Sequence, residues 1–560
     1  MCGLLALSAS GGSAAARAGA SQARAIEAPG ALNSISCAAV GECAAGGYFI
    51  EGYTPYDKRL GYYRQRYRRD AFVVSEVNGS WGKPVPVPTS GVGSAEVISI
   101  SCPAIGDCAA GGYFYARRGG QGFVVSEKNG TWGKAVEVPG LATLNRRGDA
   151  SVTSISCAAT GNCAAGGYYW DRHYNRHAFV VSETNGAWGT AIKVPGTATL
   201  NAGGDAEVTS ISCAAPGECA AGGSYSDSAR NGHAFVVSQT NGIWSKATEV
   251  PGTAALNTGG EARLMSISCP AAGECGAGGF YAEGSGKFQA FVVGETNHTW
   301  GDAIEVPGTA TLNHAGDAGA DSISCPAPGE CAASGHFTLG SARGGAFVVS
   351  ETNGTWGTAI EVPGMGTLSR DASIDSISCA APGECSVGGD YKQPRSENDG
   401  HYGLAFVASE TNGTWGSAIT VPGTASLNGT TRGGFPAASA DSISCAAPGE
   451  CAAGGYWFTG SAALHPRNRR PRAFVLDETS GSWGAPMRVR NHLTRCEVPS
   501  VLFRDLTVAK IRLNGFGCRL GTITRADSSV WKGRVIAQRP GLGTTLRVGA
   551  RVAVTVSKGS

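Results

Sequence analysis

A pair of cysteines with five residues between them, set in the run Ser-Ile-Ser-Cys to Cys-Ala-Ala-Gly-Gly, recurs eight times along this 560-residue chain. The pairs are Cys37/Cys43, Cys102/Cys108, Cys157/Cys163, Cys213/Cys219, Cys269/Cys275, Cys325/Cys331, Cys379/Cys385 and Cys445/Cys451. Each opens a unit of roughly 56 residues. A period of that length means a solenoid, a propeller or an array, because one unit cannot bury its apolar face alone.

The rest of the unit is as regular. After a stretch of variable length come Ala-Phe-Val-Val-Ser-Glu (Ala178–Glu183, Ala346–Glu351), Asn-Gly, Trp-Gly and Ala-Ile-Glu-Val-Pro-Gly. Trp81, Trp132, Trp188, Trp244, Trp300, Trp356, Trp415 and Trp483 hold the same place in all eight units, so the unit needs that ring to pack. Ser-Ile-Ser-Cys reads as a first strand, Ala-Ala-Pro-Gly-Glu as a five-residue hairpin loop and Cys-Ala-Ala-Gly-Gly as a second strand. The Phe-Val run is a third strand. Asn-Gly accepts the two positive φ angles of a type I′ hairpin, and Trp-Gly-x-Ala-Ile-Glu-Val is a fourth strand. Four antiparallel strands in eight units predict a mainly β chain, an eight-bladed β-propeller over residues 25–490. Ala25–Gly30 copies the last element of a unit before any unit has begun, and the eighth unit ends in the degraded Ala485–Val489. Arg24–Gly30 is therefore expected to pair into the last blade and close the ring.

The cysteines also point to a compartment. Cys496 and Cys518 make a ninth candidate pair and leave only Cys2 over. So many fixed pairs imply an oxidising, extracytoplasmic setting. Zinc is the competing reading, but no histidine accompanies the pairs at steady spacing, and neither a metal nor a cofactor is expected. Directly opposed residues of a hairpin stand about 4.5–5.5 Å apart at Cα, a span a disulfide can bridge. Each short loop gains about 2 kcal/mol in the chain-entropy model. That matters for inner strands of Ser, Ala and Gly, which bury little apolar area, so cross-links are expected to supply what packing does not. Residues 1–24 read either as the end of an export signal without its positive leader or as a disordered tail. No apolar run is long enough to predict a membrane span.

The pattern Ser-Cys-x5-Cys-Ala-x-Gly, then a Phe-Val strand and Asn-Gly-x-Trp, resembles secreted propeller-like repeats of actinobacterial proteins. Ser350–Trp356 is similar to the sialidase Asp-box hairpin but lacks its Asp, so the likeness supports a turn and not an activity. Beyond a linker at 491–495, residues 496–560 resemble a PASTA domain. The matching pieces are Val498-Pro499, Ala509–Leu513, Cys518-x-x-Gly521, Val535-Ile536-x-Gln538-x-Pro540-Gly541 and Gly549-x-x-Val552. That resemblance implies a small α+β domain, one helix on a three-stranded sheet, placed near bacterial peptidoglycan. The segment carries eleven Lys or Arg against three acids, which suits anionic polymers, while the remainder is net acidic.

Strand order puts the nearly constant first-to-second and third-to-fourth loops on one face. The variable second-to-third loops and the unit links lie on the other, where binding usually lives. The candidate ligand-binding residues there are Tyr62, Tyr63 and Arg66 in the first unit and Trp170, His173, Tyr174 and His177 in the third. Tyr402 in the seventh and Arg469 in the eighth complete the set. Aromatic rings and guanidinium groups stack on sugars and grip anions. The plainer reading is a set of solvated loops. Asp149, Asp205, Glu261, Asp317 and Asp371 stand eight residues before a cysteine, as turn-forming side chains or as calcium ligands. The sequons at Asn78, Asn129, Asn353 and Asn412 read as turns.

Ser-Ile-Ser-Cys holds no Arg, Tyr or carboxylate, and the nine histidines share no spacing, so an enzyme is not expected. The reading is a secreted, cell-wall-associated monomer that binds a glycan or protein through its loop face and peptidoglycan through its tail. Nucleic acid is not an expected partner. The alternatives are a structural spacer and a sialidase-like glycan hydrolase.

Overall fold

A computed structural model describes residues 29–50, 68–89, 93–117, 119–146, 148–340, 343–368, 371–392, 403–422, 438–459, 470–490, 495–514 and 516–559. Each repeat forms one antiparallel sheet of four strands, eight in all. In the fourth unit the strands are Ala206–Ala215, Glu218–Ser226, Gly232–Thr240 and a fourth in two pieces, Ile243–Trp244 and Thr248–Glu249. The expected fourth strand is thus interrupted. Gln239 faces Trp244 while Phe235 faces Glu249, so one extra residue bulges between the pieces.

The first hairpin is tighter than its sequence suggested. Ala215 pairs with Glu218, which leaves a two-residue turn, Pro216-Gly217, instead of a five-residue loop. The strand runs on because a bulge follows the cysteine, and Gly217 takes φ +79°, the angle a type II turn requires at that place. Asn241 and Gly242, at φ +50° and +78°, make the expected type I′ turn. The sequon residues Asn78, Asn129, Asn353 and Asn412 sit at the same turn position. The two turns of a sheet lean on each other: Gly242 N donates to Gly217 O at 3.0 Å, and Asn241 N to Glu218 Oε1 at 2.8 Å. This is the constant face that strand order predicted. After the second to sixth units a single helical turn, such as Thr197–Leu200, follows the Pro-Gly and leads into the next unit, an element the strand pattern of the repeat does not announce.

All eight repeat disulfides form as paired from the sequence, but three expectations about them need correction. Their geometry is the first. The Cα separation is 3.9 Å in Cys37–Cys43, Cys157–Cys163, Cys379–Cys385 and Cys445–Cys451. It is 4.0 Å in Cys213–Cys219 and Cys325–Cys331, and 4.1 Å in Cys102–Cys108 and Cys269–Cys275. All are closer than the 4.5–5.5 Å of an ideal ladder, because the bulge beside the cysteine draws the strands together. The second is register. Cys37 faces Cys43, Cys157 faces Cys163 and Cys445 faces Cys451, as expected of opposed residues. Cys102/Cys108, Cys269/Cys275 and Cys325/Cys331 drop out of the ladder. In those three units Pro103, Pro270 and Pro326 follow the first cysteine, and proline has no N–H to give the ladder. The third is their role. The second-strand cysteines Cys43, Cys108, Cys163 and Cys451 are each buried in a core between sheets, so these sulfurs are packing as well as cross-links.

First strands of consecutive sheets are neighbours throughout, and that of the eighth (Ala438–Ala447) lies against that of the first (Gly30–Ala39). The two serines of Ser-Ile-Ser explain how. Ser210 Oγ accepts from Ile267 N at 3.1 Å, and Ser212 Oγ accepts from Cys269 N at 2.9 Å. The same pair of bonds recurs at every seam, including Ser442 to Ile35 N and Ser444 to Cys37 N, each at 3.0 Å. Two closed circuits of hydroxyls thereby satisfy the inner strand edges, which would otherwise present bare N–H groups. Between the serines the isoleucine turns the opposite way into the core; Ile211 is buried. Ser210→Ala is expected to cost about 1–3 kcal/mol, since it strands a buried N–H. Denaturant unfolding of the oxidised protein measures it, and an unchanged midpoint would show that the circuit contributes nothing.

The cores lie between sheets. Val180, Val194, Val208, Phe235 and Trp244, for example, pack between the third and fourth. At five seams the repeated tryptophan also crosses by hydrogen bond: Trp132 Nε1, for example, donates to Ser75 Oγ at 3.0 Å and Trp300 Nε1 to Ser238 Oγ at 3.2 Å. The same serines donate to buried Glu127 and Glu295, at 2.9 and 2.8 Å. This is why Ser-Glu and Trp repeat together.

The closing strand expected from Arg24–Gly30 is not what Gly30 does. Gly30 pairs with Phe49 in the first sheet, and Ile50 N donates to Pro29 O. Arg24–Ala28 lie outside the described residues. The eighth sheet completes itself with Ser482–Trp483 and Met487–Arg488, and the seam is a core of Leu32, Ile35 and Phe72 against Ala452, Val475 and Val489.

In the C-terminal segment a helix, Leu506–Asn514, precedes Arg519–Ala526. That strand pairs in parallel with Arg551–Ser557, which pairs antiparallel with Val535–Arg539. Cys496 and Cys518 are bonded, with Cα atoms 4.7 Å apart.

Candidate functional site: an axial mouth

Ser-Ile-Ser is fixed in every unit, but the residues just ahead of it are not. The position immediately before it holds Asn33, Ile98, Thr153, Thr209, Met265, Asp321, Asp375 and Asp441. Two residues earlier stand Glu96, Glu207 and Arg263, among smaller residues in the other units. Their partners on the second strand follow Gly-Gly, or Ser334-Gly335 in the sixth unit, and include Tyr48, Tyr113, Tyr168, His336, Asp390 and Tyr456. These positions surround the axis on the face opposite the constant turns.

One arc, on sheets one to five, joins guanidinium groups, rings and carboxylates. Arg69 Nη1 donates to Glu96 Oε2 at 2.6 Å, and its guanidinium lies over the Tyr48 ring at 4.4 Å. Tyr113 donates its hydroxyl to Glu96 Oε2 at 2.8 Å, and Asn33 Nδ2 donates to Oε1 at 3.0 Å. Arg176 repeats the arrangement over Tyr168, bonded to Glu207 at 2.9 Å. Arg263 bonds Glu261 at 2.8 Å.

The other arc, on sheets six to eight, is acidic. Ser439 Oγ donates to Asp375 Oδ2 at 2.8 Å, and Ser373 Oγ donates to Asp390 Oδ1 at 3.2 Å. Burial, with Asp441 adding to it, pushes the Asp375 carboxyl well above the usual range. Burial lifts Asp390 to about 6 and Asp441 to about 7. The Tyr456 hydroxyl is raised by burial and by Asp441, Asp390 and Asp375. His336 Nδ1 stands 2.7 Å from Asp321 Oδ2; burial opposes its charge, but Asp321 and Asp317 together outweigh burial and raise its pKa. The mouth thus offers cationic and aromatic groups on one side and partly protonated carboxyls on the other. A polyhydroxylated ring suits such a lining.

Of the residues singled out from sequence, Tyr62, Tyr63, Arg66, Tyr402 and Arg469 lie outside the described residues. Trp170 ends the second strand of sheet three, half-buried. Tyr174 is 62% exposed at φ +64°, and His173 is exposed beside it. His177 builds its own loop: its Nε2 lies 3.0 Å from Asp171 Oδ2, and its ring packs against Tyr169. Burial works against the Asp171 charge, but bonds from Asn175, His177 and His173 outweigh it and hold that carboxyl below the usual range. Asp227, Asn231 and His233 repeat the motif in sheet four.

The acids ahead of the cysteines do not converge. Asp205 pairs with Arg176, Glu261 with Arg263, Asp371 with Lys392, and Asp317 stands 3.7 Å from His336. Asp149 Oδ1 accepts from Gly120 N. The turns themselves are held by an asparagine: Asn201 Oδ1 accepts from Asp205 N, and Asn257 Oδ1 from Glu261 N. Among the described residues no three His, Cys, Asp or Glu side chains form a metal cluster.

The Ser-Ile-Ser-Cys run itself holds no Arg, Tyr or carboxylate. One and three residues earlier the carboxylates and Arg263 are there, and Tyr113 faces Glu96 across its hairpin. The available signal was variation at fixed register inside an otherwise uniform unit.

Residues 497–558 match the PASTA domain family. No curated protein matches the chain. Solved structures similar to it include the BP39L lectin of Burkholderia pseudomallei, 14% identical, covering 71% of this chain and 99% of that one, at a TM-score of 0.39. Sqt1 of Chaetomium thermophilum is 11% identical, over 82% of this chain and 98% of that one, at 0.41. A Dyadobacter fermentans protein of unknown function is 12% identical over 59% and 99%, at 0.35. Among the described residues no helix is long and apolar enough to cross a membrane.

Proposed function

We propose that this chain is a secreted, cell-envelope-associated, non-enzymatic binding protein whose eight sheets are the blades of a propeller over residues 25–490. The axial mouth takes a glycan, and the basic PASTA domain contacts peptidoglycan. The observation that carries the reading is the contrast between the repeat and its mouth. Scaffold residues stay fixed from copy to copy, while the axial positions vary among Asn, Thr, Asp, Ile and Met and their second-strand partners among Tyr, Ser, Phe, His and Asp, the pattern of recognition built on a rigid frame. Nine disulfides support an oxidising compartment.

Arg69 and Glu96 are the groups to test. On a glycan array, the oxidised full chain is expected to retain at least one class of polysaccharide, and Arg69→Ala to weaken that retention about tenfold or more, roughly the worth of one charge-assisted contact. A silent array would leave the spacer reading. Turnover of fluorogenic glycosides would make the mouth an active site. Sedimentation with purified peptidoglycan tests the tail: the full chain is expected in the pellet, and a chain ending at residue 494 in the supernatant.

A further inference from the structure

The constant face carries clefts of its own, between neighbouring sheets and beside the disulfides. The cleft between sheets six and seven encloses about 250 Å³, that between five and six about 250 Å³, and that at the eighth-to-first seam about 340 Å³. Each holds several waters or one small ring, since a single water needs only about 10–15 Å³ of such space. The same cleft between sheets two and three measures only about 10 Å³. The sequence explains the difference. Where the open clefts carry Thr352, Thr296 and Thr479, this one carries Lys128, whose side chain reaches over Gly186 of the next sheet.

The lining of the sixth-to-seventh cleft is unfinished. Glu410 is 3% exposed; Ser350 donates to its Oε1, but its Oε2 has no partner. Trp415 Nε1, on the same wall, is also buried and without one. At five other seams the serine or an acid receives this indole, as Ser238 receives Trp300 and Asp477 receives Trp81; Trp188, beside the plugged cleft, is also open, but there no carboxylate oxygen is left open with it. A buried acceptor and a buried donor left open side by side each cost free energy until something meets them. Burial raises the Glu410 carboxyl toward its neutral form, which favours a hydroxyl over a cation.

We infer that the open inter-sheet clefts of the constant face are binding subsites for a small neutral polyol, a single sugar ring, repeated around the molecule and distinct from the axial mouth. In the sixth-to-seventh cleft vicinal hydroxyls meet the open Glu410 carboxyl and Trp415 indole, and the apolar ring face meets that tryptophan; Glu351 lines the fifth-to-sixth cleft and Glu76 the eighth-to-first in the equivalent place. Repetition makes weak subsites effective on a polymer through avidity.

Equilibrium dialysis of the oxidised full chain against radiolabelled galactose, mannose and N-acetylglucosamine counts the sugars bound per chain. At least three are expected for one of these sugars. Thr296→Lys, Thr352→Lys and Thr479→Lys together copy the plugged cleft and should remove three. Lys128→Thr opens the plugged cleft and should add one, which keeps the test decisive if the triple variant folds poorly. Arg69→Ala should remove no more than the one sugar the mouth would hold and leave the three that the lysine variants remove, so failure at the mouth and failure here are separable. Absence of binding by all three sugars, or a count that moves with neither the lysine variants nor Lys128→Thr, would overturn the inference and leave the clefts to water.

Discussion

Reduction is expected to unfold the sheets under conditions in which the oxidised chain stays folded. Each repeat disulfide closes a loop of six residues' separation, worth about 2 kcal/mol in the chain-entropy model. Eight such bonds amount to something on the order of 15 kcal/mol, as large as the whole net stability of an ordinary domain. The inner strands have little with which to replace that. Ala44, Ala45, Ala164, Ala165, Ala220 and Ala221 are fully buried, yet each removes only one methyl from water. The measurement is near-ultraviolet circular dichroism of the seam tryptophans against denaturant, with and without a phosphine reductant. A shared midpoint, or close to nineteen free thiols per chain before reduction, would refute the account.

The oxidised protein is also expected to be more stable near pH 5 than near pH 8. Glu76, Glu127, Glu183, Glu295, Glu351, Glu410 and Glu478 occupy equivalent places at the seams, and burial raises the pKa of each. An acid whose folded pKa lies above its unfolded one binds its proton more tightly when folded. Its penalty is absent at low pH and develops as pH rises from the ordinary carboxylate range through the folded value. Asp375, Asp390 and Asp441 act in the same direction, whereas Asp171, held low, acts oppositely below the ordinary range.

Glu76 is the strongest case. It moves from 4.5 to about 7, by burial first and then by Asp477, which stands where six of the other sheets carry serine and the fifth Gly294. That shift is worth on the order of 2 kcal/mol, allowing for solvent screening at the cleft. Thermal unfolding across pH 5–8 should therefore show a falling midpoint, and Asp477→Ser should flatten the fall and raise the midpoint at pH 8. A midpoint that rises with pH would reverse the assignment of these carboxyls as buried and partly neutral.

Much of this architecture was legible in the sequence because its signals are local. Cys213 and Cys219, Pro216-Gly217, Asn241-Gly242 and Trp244 each specify their own turn or seam, and eight copies rule out coincidence. What stayed hidden depends on register and on closure. The bulges beside Cys213 and after Trp244 shift pairing by one residue, which no propensity reveals. The burial of Cys43, Cys108, Cys163 and Cys451 was hidden too, since each meets its core only across a seam. The role of Ser210 likewise appears only when the next sheet is beside it. The mouth escaped for the same reason: Glu96 and Asp375 look like ordinary strand-edge polar residues until closure brings Arg69, Tyr113, Asp390 and Asp441 to one end of one axis. His177 was read as a ligand-binding side chain but bonds Asp171 within its own loop, because a histidine near an aspartate in sequence serves the backbone as readily as a ligand.

The hydroxyl circuits have a consequence for how such a chain can be cut. Every sheet gives two contacts to its successor and takes two from its predecessor, so none of them is a terminus in energetic terms. Joining the segment before Pro29 to the one after Arg490 and opening the polypeptide at another unit link would yield a circular permutant with the same set of bonds. Order along the gene is then free to rotate, and only the number of copies is held by the geometry.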